Sequence, residues 1–153
     1  GNLHVQGYTE LEGDLTVLGD TFLANLTVSG TTTVKELTVD RIISHGDLPT
    51  GVLGATTGYN GTVLVEGNDS AGSITYTAGS QVLPAHPLSA GEQITLTFVK
   101  PYATTPRIVL TPTSDKAATI HYYVQRTGTE FKVVFTDAPV AGDTYSFDYQ
   151  VIQ

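Results

Sequence analysis

The residues of this chain that could do chemistry are few and stand apart from one another. The four histidines are His4, His45, His86 and His121, and none belongs to a nucleophile elbow, a His-Glu-x-x-His metal site or a phosphate-binding loop. Because the chain has no cysteine, a thiolate metal site, a disulfide framework and a cysteine nucleophile are excluded. Isolated histidines in a β protein are typical of surfaces and turns. We therefore expect no catalytic residue, no metal site and no cofactor.

Three side chains are candidates for binding a ligand. Exposed aromatic rings stack on sugar faces, and polar side chains beside them bind sugar hydroxyls. Tyr102 lies in a predicted loop over residues 100–105, and His121 and Tyr123 lie on the face of a predicted strand that points away from the core. Packing between protomers of an oligomer is the alternative interpretation for all three residues.

The dipeptide Asn68-Asp69 offers oxygen ligands of the kind that Ca²⁺ prefers. Nothing nearby supplies the remaining ligands in the spacing of an EF-hand loop. The pattern favours an Asx-type turn, in which the side chain accepts hydrogen bonds from backbone amides.

A glycan-cleaving enzyme needs two carboxylates that face one groove. The acidic residues of the C-terminal half fall mainly at predicted strand ends and turns, and only Asp148 lies in the middle of a predicted strand. It would need a partner within about 5 to 10 Å, and the sequence alone cannot place one. We therefore expect no enzyme.

Charge and composition narrow the class of protein. The chain has 7 basic and 15 acidic residues, the opposite of the balance that a nucleic-acid binder needs. No apolar stretch approaches the roughly 18 to 20 residues that cross a bilayer, so we expect no membrane insertion. Only 14% of residues are charged, against about 25% in ordinary globular domains. A surface of Thr, Ser and Gly, common on extracellular fibres, is expected instead.

Abundant Thr and Val and a total of 16 Gly favour short strands joined by tight turns, and hence an all-β fold. Residues 1–43 repeat a Leu-x-Val triplet every 11 or 12 residues. Each repeat predicts a short strand, a turn marked by Gly and a second short strand. The expected row of inward-facing side chains is Leu3, Val5, Leu15, Val17, Leu26, Val28, Leu37 and Val39.

A narrow β-ribbon with one apolar row needs other chains to cover that row and to pair its edges. We therefore interpret residues 1–43 as a β-shaft in which copies of the chain wind together around a shared axis. A single-chain β-solenoid is an alternative, and a helix over residues 33–44 is a weaker one, because those residues keep the Leu-Thr-Val register.

The repeat stops where Gly and Pro become frequent, and residues 44–60 are interpreted as a collar. Alternating apolar residues return in residues 61–153 and predict an antiparallel β-sandwich head. The predicted strands cover residues 62–66, 73–78, 93–100, 107–111, 120–126, 130–136 and 144–152. The alternate apolar residues of 94–98, 120–124, 131–135 and 145–151 are expected to face inward.

Four segments carry a resemblance to a known family. They are Glu-Gly-Asn-Asp-Ser-Ala-Gly at 66–72, Ile-Thr-Leu-Thr-Phe at 94–98, Pro-Arg-Ile-Val-Leu-Thr-Pro at 106–112 and Asp-Thr-Tyr-Ser-Phe-Asp-Tyr-Gln-Val-Ile at 143–152. Together they resemble the C-terminal β-sandwich head of phage tail-fibre-like and bacterial surface-fibre proteins, in which a Leu-Thr-Val shaft often precedes the head.

The resemblance implies a homotrimer and a non-enzymatic, receptor-binding fibre tip. Its partner would be a cell-surface glycan or protein, and its location a virion tail fibre or the cell surface. The alternative is a subunit of an extracellular filament whose head packs on the next subunit.

Overall fold

A computed structural model describes residues 4–153, which divide between Asp40 and Arg41 into two compact units. In the first unit, the described residues 4–40 form no strand within the single chain. Their backbone bends every five or six residues, and Gly7, Gly19 and Gly30, which follow the first three Leu-x-Val triplets, lie at bends. The backbone of this unit therefore repeats with the period of the sequence.

The apolar row predicted for the shaft is exposed in the single chain. The described valines of the triplets are 47–49% exposed, and they are Val5, Val17, Val28 and Val39. The described leucines are 64–71% exposed, and they are Leu15, Leu26 and Leu37. Leu3 lies outside the described residues. One copy of the chain therefore leaves these side chains in water, where apolar surface is costly.

The second unit is all-β apart from one five-residue helix. Its elements are β1 (Thr50–Leu53), β2 (Thr62–Gly67), β3 (Ala71–Thr77), β4 (Gly91–Thr97), β5 (Arg107–Pro112), α1 (Asp115–Thr119), β6 (Tyr122–Arg126), β7 (Glu130–Phe135) and β8 (Thr144–Ile152). They form two antiparallel sheets of four strands, in the orders β1-β4-β7-β6 and β2-β3-β8-β5.

Both sheets contribute side chains to one hydrophobic core. Successive side chains of a strand point to opposite faces of its sheet, so every second residue faces this core. Strand β8 is an example, with Tyr145, Phe147, Tyr149 and Val151 buried between exposed or half-buried neighbours. The inward faces predicted for residues 94–98, 131–135 and 145–151 are confirmed. The predicted inward residues Ile120, Tyr122 and Val124 are half-buried against the same core.

Two elements differ from the sequence prediction. The sequence predicts no strand in the collar segment 44–60, but strand β1 lies there and pairs with β4. A side chain at Gly51 would overlap the side chain of Val65, so a glycine there lets β1 lie close to β2. Helix α1 was also not predicted. Its first turn is capped by Ser114, whose hydroxyl accepts a hydrogen bond from the Ala117 amide.

The loops of the second unit gather at two ends. The chain enters β1 at Thr50, which pairs with Thr97 at the end of β4. Residues 44–49, the β2–β3 turn, the β4–β5 loop, the β6–β7 turn and Gln153 lie at this end, which we call the entry end. Residues 78–90, 113–121 and 136–143 lie at the opposite end of the strands.

Candidate functional site

A cavity of about 330 Å³ opens at the entry end of the second unit. Its walls are residues 45–47 before β1, residues 68–70 of the β2–β3 turn, residues 99–102 of the β4–β5 loop, and Gln153. This volume is at the lower end of the range of about 300–1,000 Å³ that small-molecule sites occupy. The cavity is therefore large enough for a small ligand.

Asn68 joins the turn to the segment that precedes β1. Its side-chain oxygen accepts hydrogen bonds from the amides of Ser70 (2.8 Å) and Ala71 (3.2 Å), and this confirms the Asx-type turn. Its side-chain nitrogen donates to the backbone oxygen of Ser44 (3.0 Å) and to the Ser44 hydroxyl (3.1 Å). The buried amide therefore uses both ends to hold two walls of the cavity.

Asp69 joins the same turn to the β4–β5 loop. One carboxylate oxygen accepts the Val99 amide (2.9 Å) and the other accepts the Lys100 amide (2.8 Å). Hydrogen bonds to an ionised acceptor are the stronger kind. Among residues 4–153, no group of three or more His, Asp or Glu side chains lies close enough together to hold a metal ion. Asp69 therefore holds the β4–β5 loop against the β2–β3 turn.

Two tyrosines hold the turn from the core side. The Tyr149 hydroxyl donates to the backbone oxygen of Asn68 (2.7 Å), and the Tyr102 hydroxyl donates to that of Asp69 (3.0 Å). Burial, with the nearby charge of Asp69, raises the pKa of Tyr149 to about 12, and burial also raises the pKa of Tyr102. Both hydroxyls therefore keep their protons at neutral pH and remain donors.

The cavity carries charges of both signs. Its lining residues include the acidic Asp47 and Asp69, the basic Lys100, and His45. The Tyr102 ring lies against Phe98 at 4.9 Å between ring centroids, with the rings nearly perpendicular. The walls therefore combine polar and charged residues with a tyrosine that is held by its hydroxyl bond and by its ring contact with Phe98.

The three predicted ligand-binding residues do not come together. Tyr102 lines the cavity, whereas His121 precedes β6 at the opposite end of the strands. There the His121 imidazole lies 2.6 Å from a carboxylate oxygen of Asp137, and this hydrogen bond lowers the pKa of Asp137. Tyr123 is half-exposed on the outer face of edge strand β6, beside Gln125. Of the three predicted ligand-binding residues, Tyr102 alone lines this cavity.

A second carboxylate, that of Glu66, lies on the same sheet face as Asp148. The strand register aligns Glu66, Ser73, Asp148 and Thr111 in one row across the outer face of the sheet. At about 4.8 Å per strand, Glu66 and Asp148 are about 10 Å apart at their Cα atoms. They line a shallow depression on the open sheet surface.

Sequence reasoning missed His45, Asp47 and Lys100 as cavity residues. They lie in segments where apolar residues show no periodic pattern. Hydrogen bonds from Asn68 to Ser44, and to Asp69 from the Val99 and Lys100 amides, hold these segments beside the β2–β3 turn. The signal that was available is the Asn68-Asp69 dipeptide, because a predicted Asx turn with a second carboxylate has acceptor capacity beyond its own turn.

Comparisons with known proteins add no relative. No family model matches the chain, and no match was found among the curated proteins or among the solved structures. In the described part of the chain, no helix has both the length and the apolar character to cross a membrane.

Proposed function

We propose that this chain is the shaft-and-head end of a homotrimeric fibre, without enzymatic activity, that attaches to a cell-surface ligand. The fibre would be a phage tail fibre or a bacterial surface adhesin. The observation that carries the proposal is the repeated apolar row of residues 4–39, which a single chain leaves exposed.

The exposure pattern separates the repeat positions from three other apolar side chains of the first unit. The repeat positions include Leu11, Leu23 and Val34, which follow a triplet leucine by eight residues and are 51–58% exposed. Leu and Val in the triplets are 47–71% exposed, whereas Tyr8, Leu18 and Phe22, which lie off the repeat, are 88–100% exposed. The repeat positions therefore share a more sheltered face, and a face of Leu and Val over four repeats is a surface that other copies of the chain could bury.

The binding role is supported by the cavity of the second unit, whose walls are fixed by hydrogen bonds from one dipeptide. Sites that bind with little reorganisation are those whose walls are already held in place. The non-enzymatic role is supported by the position of Glu66 and Asp148, which line a shallow, open depression on the sheet surface and not an enclosed cleft.

A cross-linking experiment tests the trimer directly, because the chain has no cysteine of its own. Val28→Cys places one thiol on the repeated apolar row, and Leu18→Cys places one at a fully exposed position off the row. A short trifunctional maleimide should convert the Val28→Cys chain to a covalent trimer and leave the Leu18→Cys chain largely uncross-linked. Equal cross-linking of the two variants, or dimers alone, would contradict the shared axis.

A further inference from the structure

We propose that the entry-end cavity binds an uncharged hexopyranose that forms part of a surface glycan. This inference rests on the proposed function, since it names the class of ligand that the second unit would recognise. It is carried by the way in which the cavity walls are built and by the charges that they present.

The first step is the aromatic wall. Tyr102 lines the cavity, and its ring is held in place by the hydroxyl bond to the Asp69 backbone and by the perpendicular contact with Phe98. A fixed ring costs little conformational entropy when a ligand stacks on it. The apolar C–H face of a pyranose is a surface of matching size and polarity.

The second step is the acceptor capacity of Asp69. A carboxylate offers about four acceptor positions, two on each oxygen. Among the described residues, each oxygen accepts one backbone amide, from Val99 and from Lys100. A further acceptor position on each oxygen is therefore available to hydroxyl donors, and two neighbouring sugar hydroxyls can approach one carboxylate in this way.

The third step is the balance of charge, which selects an uncharged ring. The cavity lining includes two acidic residues, Asp47 and Asp69, and one lysine, Lys100, and the chain has a net charge of −8. An anionic sugar would meet like charge. A cationic sugar would meet like charge at Lys100. A sugar hydroxyl both donates and accepts, so it satisfies both kinds of wall.

The test uses the full chain and a matched series of ligands. The probes are the methyl glycosides of glucose, galactose and mannose, in which the anomeric oxygen is capped as in a glycan, together with the corresponding uronates and 2-amino sugars. Saturation-transfer NMR detects binding, and calorimetry measures the affinity. We expect at least one neutral glycoside to bind with a millimolar Kd or tighter, and its uronate and its amino sugar each to bind at least about tenfold more weakly.

Two tyrosine variants locate the site. Tyr102→Ala should weaken binding of the neutral glycoside at least about tenfold, and Tyr123→Ala, which removes a half-exposed tyrosine from the outer face of β6, should leave it unchanged. Tyr102→Phe keeps the ring but loses the hydroxyl bond to Asp69, so its affinity should lie between those of the unaltered chain and Tyr102→Ala. Circular dichroism of each variant shows whether a loss of binding comes from misfolding.

The proposal is overturned if no neutral glycoside binds, if a uronate or an amino sugar binds more tightly, or if only free reducing sugars bind. It is also overturned if Tyr123→Ala weakens binding as much as Tyr102→Ala. The solution mass of the same samples keeps this result distinct from the proposed function. A trimer that binds no glycoside refutes the ligand class alone, and a monomer that binds a glycoside refutes the fibre alone.

Discussion

The side chain of Asn68 should contribute more to stability than its place in a surface turn indicates. Asn68→Ala removes two bonds from backbone amides and two bonds to Ser44. At about 0.5–1.5 kcal/mol for each net hydrogen bond, with the exposed Ser70 amide regaining water, we expect a loss of about 2–3 kcal/mol. At roughly 4 °C for each kcal/mol, the melting temperature should fall by about 8–12 °C.

The assay is thermal unfolding followed by circular dichroism, at one fixed protein concentration because assembly makes melting depend on concentration. Asn68→Asp keeps the acceptor for the turn amides and removes the donor to Ser44, so it should give an intermediate loss. Asn25→Ala, at an exposed asparagine of the first unit, should change the unfolding free energy by less than about 0.5 kcal/mol. A melting temperature of Asn68→Ala within about 2 °C of the unaltered chain would refute the reasoning.

Three further predictions concern the shaft, the core and a close backbone contact. Leu26→Asp puts a charge on the repeated apolar row and should reduce the solution mass to that of one chain, 16.2 kDa; an unchanged mass would contradict the assignment of this row to an axis. Burial raises the pKa of Tyr76 and raises that of Tyr149 to about 12. Because the folded state keeps these protons after the unfolded state has lost them, stability should be complete below about pH 10 and fall between pH 10 and 12. Urea midpoints that stay constant over this range, or that fall equally in Tyr149→Phe, would contradict this. At Gly54 a methyl group would overlap a backbone carbonyl of β4, so Gly54→Ala should lose about 1–3 kcal/mol in urea unfolding. Gly30→Ala, where the space is open, is the matched control, and an equal effect of the two changes would show that the overlap is relieved.

Much of the second unit follows from alternation along the sequence. Strand β8 could be predicted because its inward residues are large and apolar and its outward residues up to Gln150 are polar, so the period of two identifies both the strand and its inward face. Strand β1 could not be predicted, because its four residues include a Gly and one half-buried Leu and are too few to show a pattern. It forms by pairing with β4, about 45 residues later in the chain. Pairing between distant segments decides such a strand, and local propensity does not.

The candidate cavity could be predicted only in part. Tyr102 and the Asx turn were visible because aromatic residues in loops and Asn-Asp dipeptides have meanings that depend on local chemistry. The roles of Lys100 and His45 depend on two hydrogen-bonded connections across long stretches of sequence, from Asn68 to Ser44 and from Asp69 to the β4–β5 loop. No period or spacing in a single sequence encodes such connections.

The measurement that tests the central claim most directly is the solution mass of the full chain, determined by light scattering at two concentrations. The fibre proposal predicts a mass near three times 16.2 kDa at both concentrations. A stable monomer at micromolar concentration would contradict it, because the apolar row of residues 4–39 would then remain in water. Open-ended growth would contradict the closed trimer and support a filament subunit instead.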